Sequence, residues 1–328
     1  MEDLSWIEKT KNVLRAYAVG DAFGMPTEFM TRKEIVEQFS PLIGELIKPE
    51  WSKNHSNLPY ASVTDDTEQV LYLYRRYLKD KKVDAKATAD CLRDWVLKTD
   101  AIQKKYIGPS SMEALEAIEN GEPIEETGKK GTTCGGIMRT PAAVLFKACA
   151  NDCELAENIY NCLLSTHNTS EALEAAGAYG FALNAALNGS TKREILDAAL
   201  IGGRILRKKA LLEHCTPSSV ARIKWWAQHY KNCSIEMLLQ ELCGVFGTGL
   251  PSADVCGAVF AIFCKAGKDV WLAIRIGASC GGDTDTIAAL SGALCCAYAG
   301  GDNIPTYIKN EIFERNSILW DTPWNHRI

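Results

Sequence analysis

The stretch 281-GGDTDTIAALSGALCCAYAGG-301 sets two aspartates and two threonines between a glycine pair and a run of mostly small residues. Behind the acids, Ala288, Ala289, Gly292 and Ala293 recur at three- and four-residue spacing. Small side chains on one stripe let helix backbones approach closely, so this segment reads as a buried central helix. A second stretch, 62-SVTDDTEQVLYLYRRYL-78, has the same grammar, acidic and hydroxyl-bearing in front and helical behind. Helical periodicity continues elsewhere. Val13, Leu14, Tyr17 and Ala18 form one stripe, Val70, Leu71, Tyr74 and Leu78 another, and 171-EALEAAGAYGFALNAAL-187 a third. Alternating β-branched runs are scarce. The sequence therefore predicts an all-α fold, a compact bundle of many helices. No Pro/Gly/Ser-rich linker or shift in composition divides it, so residues 1–328 are expected to form a single domain.

With 328 residues, 47% hydrophobic and 23% charged, the chain can bury a large core without staples. Its formal charge of -5 gives no electrostatic footprint for nucleic acid, and basic clusters such as 207-RKK-209 are short and isolated. The opening MEDLSWIEKTKNVLRAYAVG lacks the parts of an export signal, and no apolar run approaches about 18 unbroken residues. A cytoplasmic protein is expected, with no membrane and no nucleic acid among its partners. The 13 cysteines never form CxxC pairs and lie in helical-looking segments, which points to reduced, mostly buried thiols. The five histidines fall outside zinc spacings.

The chemistry lies in the two acidic stretches. Thr64, Asp65 and Asp66 precede the stripe that begins at Val70, so they occupy a loop or first helical turn, where backbone N–H groups lack partners. Helix capping by Asp65 with Glu68, or Asp66 with Gln69, is one reading of them. Capping explains 281–286 less well, because Asp283, Thr284, Asp285 and Thr286 supply four oxygen-bearing groups where a cap uses one. Asp283 and Asp285, two residues apart, can converge on one ion. Oxygen donors without thiol or imidazole suit Mg²⁺ or Mn²⁺, with Mg²⁺ bonds of about 2.0–2.1 Å. If the two stretches meet, their four carboxylates and two hydroxyls could hold two ions about 3.5–4 Å apart.

Five segments in order resemble the ADP-ribosylglycohydrolase family, which includes the dinitrogenase-reductase-activating glycohydrolases and the ADP-ribosylarginine and ADP-ribosylserine hydrolases. They are 17-YAVGDAFGMPTEF-29, 63-VTDDTEQVL-71, 133-TCGGIMRTPAAV-144, 166-THNTSEALEAA-176 and 281-GGDTDTIAALSGALCCAYAG-300. The resemblance implies an all-α fold around a central binuclear Mg²⁺ site. Thr64, Asp65 and Asp66 match one ligand set and Asp283, Asp285 and Thr286 the other, with Mn²⁺ a possible substitute. Glu28 matches a glutamate over the metal-bound ribose and is the candidate for substrate activation or proton transfer; the bland alternative is a surface glutamate after a proline turn. Asp66 and Asp285 join it as candidate catalytic residues.

Gly135, Gly136, Met138 and His167 are the expected substrate-binding positions by the same resemblance. By themselves the glycines also fit a plain turn, and His167 also fits a core or capping role. Many relatives carry Asn-Gly just before the Met-Arg pair, where this chain has Cys134 and Gly135. Nor does 105-KYIGPSSMEAL-115 display an acid placed for a guanidinium group. The expected activity is Mg²⁺-dependent hydrolysis of a ribosyl glycosidic bond, with an ADP-ribosylated protein side chain or small ADP-ribose conjugate as substrate. A ribosidase acting on nucleosides or other small N-ribosides is the alternative, and a catalytically silent ADP-ribose-binding or crystallin-like protein is the other.

Overall fold

The computed structural model of the protein describes residues 4–319. The described residues form sixteen α-helices and no extended sheet, only the isolated bridges Thr133 to Pro251 and Thr169 to Leu212. The first eight helices are α1 Leu4–Gly24, α2 Arg32–Gln38, α3 Asp65–Asp80, α4 Ala85–Thr99, α5 Pro109–Glu119, α6 Ile124–Thr127, α7 Thr140–Leu145 and α8 Asp152–Leu163. The rest are α9 Ser170–Leu187, α10 Lys192–Arg207, α11 Ser219–His229, α12 Ile235–Glu241, α13 Ser252–Ala266, α14 Val270–Ser279, α15 Thr284–Ala299 and α16 Thr306–Arg315. The all-α bundle that the periodicity predicts is the observed architecture. Most cysteines are buried, as their place in helical segments implies.

The chain divides into two compact units, 1–68 with 225–250 and 257–328, and 69–224 with 251–256. Three of these boundaries fall inside α3, α11 and α13, and the fourth, at 250/251, in the short turn before α13. That is why no change in composition marks them.

In the first unit, α15 is buried from Thr284 to Ala297, and α1 and α14 pack along it. The stripe of small residues has the effect expected of it. A Cβ on Gly20 of α1 would stand 2.4 Å from the Ala288 carbonyl oxygen, and one on Gly24 would stand 2.4 Å from that of Thr284. The same holds for Gly277 of α14, where a Cβ would lie 2.6 Å from Ala288 Cα. Backbone therefore touches backbone along α15, and its first turn is pressed against the end of α1. Thr284 seals the contact by donating its hydroxyl to the Gly24 carbonyl at 2.9 Å.

In the second unit, α9 is almost wholly buried, mostly through small and apolar residues, with α7, α8 and α10 packed around it. Thr169 caps it by accepting from Ala172 N–H. The α9–α10 contact again rests on small residues, since a Cβ on Gly177 would meet the Gly202 carbonyl oxygen at 2.5 Å.

Gly20→Ala should destabilise the protein by about 1–3 kcal/mol, the usual range for overpacking a close-packed core. Urea unfolding of the variant measures this; an unchanged midpoint would refute the close approach of α1 and α15.

Candidate functional site

The first turn of α3 shows how the acids are freed for other work. Its N-terminal donors are satisfied from α1: the Asp21 carboxylate accepts from Thr64 N–H at 3.0 and 3.1 Å and from Thr67 N–H at 3.1 Å. The hydroxyls of Thr64 and Thr67 donate to the same carboxylate. Thr64 Oγ1 in turn accepts from Asp66 N–H at 3.3 Å. Asp66 does not spend its carboxylate on capping. It accepts from the Tyr17 hydroxyl at 3.0 Å and from the Thr286 hydroxyl at 3.2 Å, and this second bond ties the two acidic stretches together.

The loop before α15 is built from backbone. Gly281 and Gly282 adopt φ of +80° and +78°, a region that L side chains rarely enter. A Cβ on Gly282 would lie 2.1 Å from the Thr248 carbonyl oxygen, which instead accepts from Asp283 N–H at 2.7 Å. Phe29 N–H donates to Gly282 O at 2.7 Å, and Gly282 N–H donates to Met30 O at 3.0 Å. This pairing holds Glu28 beside the 283–286 acids. Asp283 precedes α15 but makes no side-chain cap bond.

Glu28, Thr64, Asp66, Asp283, Asp285 and Thr286 are all buried, and Asp65 is half-buried. Glu28 is therefore not the surface glutamate of its bland reading. His55 Nε2 lies 2.9 Å from Glu28 Oε2, and the donor atoms of Glu28, His55 and Asp285 all fall within 4.8 Å of one another. Burial, and next the charge of Asp285, push the carboxyl groups of Glu28, Asp65 and Asp66 well above the usual carboxylate range. The same two causes bring Asp21 to about 7, against the lowering effect of its threonine bonds. Like charges this close resist joint ionisation unless a cation joins them. Glu28 Oε2 and Asp285 Oδ1 are also buried and accept no hydrogen bond. An inward-facing set of acceptors of this kind fits a divalent cation.

The other expected positions gather in the second unit, around His167. Its Nδ1 lies 2.8 Å from Thr166 Oγ1 and its Nε2 3.1 Å from Thr133 Oγ1. A Cβ on Gly135 would come 3.0 Å from its ring, and one on Gly136 would come 3.1 Å from its Cβ. Met138 is buried in the turn that follows, its N–H bonded to Cys134 O at 2.9 Å. Burial, with the nearby Arg139 charge second, holds the imidazole well below its usual pKa, and so neutral.

The family model for ADP-ribosylglycohydrolase matches residues 2–322. The chain belongs to that family. Among curated relatives it is 29% identical to YegU of Escherichia coli over 94% of each chain. It is 24% identical to the ADP-ribosylarginine hydrolase Tri1 of Pseudomonas putida, over 91% of this chain and 72% of that one. A solved structure titled as an ADP-ribosylglycohydrolase-related protein complex superposes with a TM-score of 0.62 at 24% identity, covering 94% of this chain and 95% of that one; it bears on the fold alone. As an ADP-ribosylglycohydrolase, the protein is a hydrolase of glycosidic bonds. No described helix is long and apolar enough to cross a membrane.

Two participants of this ADP-ribosylglycohydrolase cluster lie outside the sequence-derived set. Asp21 had a legible signal, since it falls on the stripe of Tyr17 and Ala18, where an acid would be buried. His55 had none: it sits in the aperiodic segment 51-WSKNHSNLPY-60, and only the fold carries it to Glu28.

Removing one charge from the cluster should relieve repulsion. In the presence of a chelator, Asp285→Asn is expected to raise unfolding stability by on the order of 1 kcal/mol. A urea midpoint equal to or below that of the wild type would count against the electrostatic strain inferred here.

Proposed function

We propose that this ADP-ribosylglycohydrolase releases ADP-ribose from an ADP-ribosylated side chain or a small ADP-ribose conjugate, using two divalent ions, Mg²⁺ or Mn²⁺. Thr64, Asp65 and Asp66 would hold one side of the ion pair and Asp283, Asp285 and Thr286 the other. The observation that carries this reading is the convergence of both acidic stretches on one buried cluster, joined through Thr286 and Asp66, with Asp285 Oδ1 accepting no hydrogen bond. A cluster of buried carboxylates is costly, and a purely structural protein gains nothing from keeping it. The name of the Pseudomonas putida relative supports an ADP-ribosylated side chain as substrate, the side chain leaving and ADP-ribose taking up the water.

Bound in this cluster, divalent ions supply charge stabilisation and a water of lowered pKa. The chain's own residues supply geometry. Asp66 is oriented by the Tyr17 and Thr286 hydroxyls, one on each carboxylate oxygen. Asp21 fixes the turn that presents Asp65 and Asp66. Glu28, buried beside the 283–286 acids, is the candidate for substrate activation or proton transfer at the reacting sugar. Nearby carboxylates would stabilise positive charge developing on the ribose. In the second unit, Gly135, Gly136, Met138 and His167 are the proposed substrate contacts, with His167 a neutral hydrogen-bonding group rather than a cation.

The test is a product assay with Mg²⁺ on ADP-ribosyl-arginine, ADP-ribosyl-serine, O-acetyl-ADP-ribose and a panel of nucleosides. Release of free ADP-ribose is expected and identifies the linkage; release of ribose from nucleosides alone would replace this reading with a ribosidase. Asp285→Asn should lower kcat/KM by about 100-fold or more while leaving helical content intact, the scale on which loss of transition-state electrostatics is felt. Unaltered activity in that variant would remove the cluster from the mechanism. Mg²⁺ at 100 times its Kd should stabilise the wild-type protein by about 2.7 kcal/mol for each ion bound, relative to chelator.

A further inference from the structure

Resting on the divalent-ion reading above, we propose that His55 is an imidazole ligand, completing a mixed nitrogen and oxygen cation site with Glu28 and Asp285. This position then takes a first-row transition ion, from Mn²⁺ to Zn²⁺, in preference to Mg²⁺.

The three residues are buried and their donor atoms lie within 4.8 Å of one another. Ligands bonded to one ion at about 2.1 Å stand about 3 Å apart when adjacent and about 4.2 Å apart when opposite. The 2.9 Å between His55 Nε2 and Glu28 Oε2 matches an adjacent pair. It is also the length of an ion pair, and Oε2 has no other hydrogen-bond partner. Asp285 Oδ1, buried in the same group, accepts no hydrogen bond.

The ring arrives on a fixed loop. Ser52 Oγ accepts from the N–H groups of Asn54 at 3.3 Å and His55 at 2.8 Å, and the His55 carbonyl accepts from Leu58 N–H at 3.0 Å. The oxygen donors of 64–66 and 283–286 alone would serve Mg²⁺ as well as Mn²⁺. An imidazole changes that, because Mg²⁺ prefers oxygen and sheds water reluctantly whereas the later first-row ions bind imidazole well.

The test measures binding, not turnover. Metal-free full-length protein is titrated by calorimetry with Mn²⁺, Zn²⁺ and Mg²⁺ separately, for the wild type, His55→Ala, His55→Gln and Asp285→Asn. The wild-type preference for Mn²⁺ and Zn²⁺ over Mg²⁺ is expected to fall by about tenfold or more in both His55 variants, with Mg²⁺ affinity little changed. Pulsed electron paramagnetic resonance of the Mn²⁺-loaded wild type should show nitrogen coupling from imidazole, lost in the His55 variants. The same preference in all forms, or no nitrogen coupling in the wild type, would overturn the proposal and leave His55 as an orienting neighbour of Glu28. If a His55 variant does not fold, the wild-type coupling decides. Divalent binding unaffected by Asp285→Asn, or absent from the wild type, would instead refute the underlying ion reading and this proposal with it.

Discussion

A helix that carries acids in its first turn can bring them to a shared point only if its neighbours let it come close. In this protein that condition is met at Gly20 and Gly24, where the backbone of α1 lies directly on the first turns of α15. Everything else in the acidic cluster depends on the contact. Because α1 ends there, Asp21 reaches the N-terminus of α3 and Tyr17 reaches Asp66. The chain leaving α1 then returns as Phe29 and Met30 to pair with Gly282. One close approach thus positions all three groups of acids.

The electrostatics of the arrangement oppose the packing. Asp65 and Asp66 sit in the first turn of α3, and Asp285 in the first turn of α15, where the helix dipole favours negative charge. That effect contributes about 0.3–1 kcal/mol per charge, rising to about 2 kcal/mol in partly buried geometry. It is smaller than the cost of burying several like charges together, and the raised pKa values of Glu28, Asp65 and Asp66 record the difference. Two helix ends soften the repulsion without cancelling it. The remainder falls to protons or to a cation, so the cluster is a place where the two compete.

Much of the fold was legible because helical spacing is a local signal: the stripes at Val13 to Ala18, Val70 to Leu78 and 171–187 fall on α1, α3 and α9. The acidic stretches were legible because four oxygen-bearing groups after a glycine pair exceed what capping needs. Their meeting was not, since it depends on contacts such as Thr286 to Asp66, 220 residues apart in the chain. Asp21 illustrates a second limit. A carboxylate that caps another helix leaves no pattern at the helix it serves, and Thr64 to Asp66 looked self-sufficient. His55 illustrates a third, because loop residues have no period and their partners are set wholly by tertiary structure. The division into two units was equally silent, most of its boundaries lying within helices.

The glycine pair before Asp283 has a kinetic meaning as well as a steric one. Gly281 and Gly282 both take left-handed geometry, Gly282 is bonded through backbone to Phe29 and Met30, and Arg32 and Thr248 flank the pair with no room for a side chain. A loop so constrained gives up its conformational entropy when the chain folds, not when an ion arrives. Capture of a cation then needs no rearrangement of the 281–286 backbone. Loop ordering would therefore not slow the arrival of a cation there.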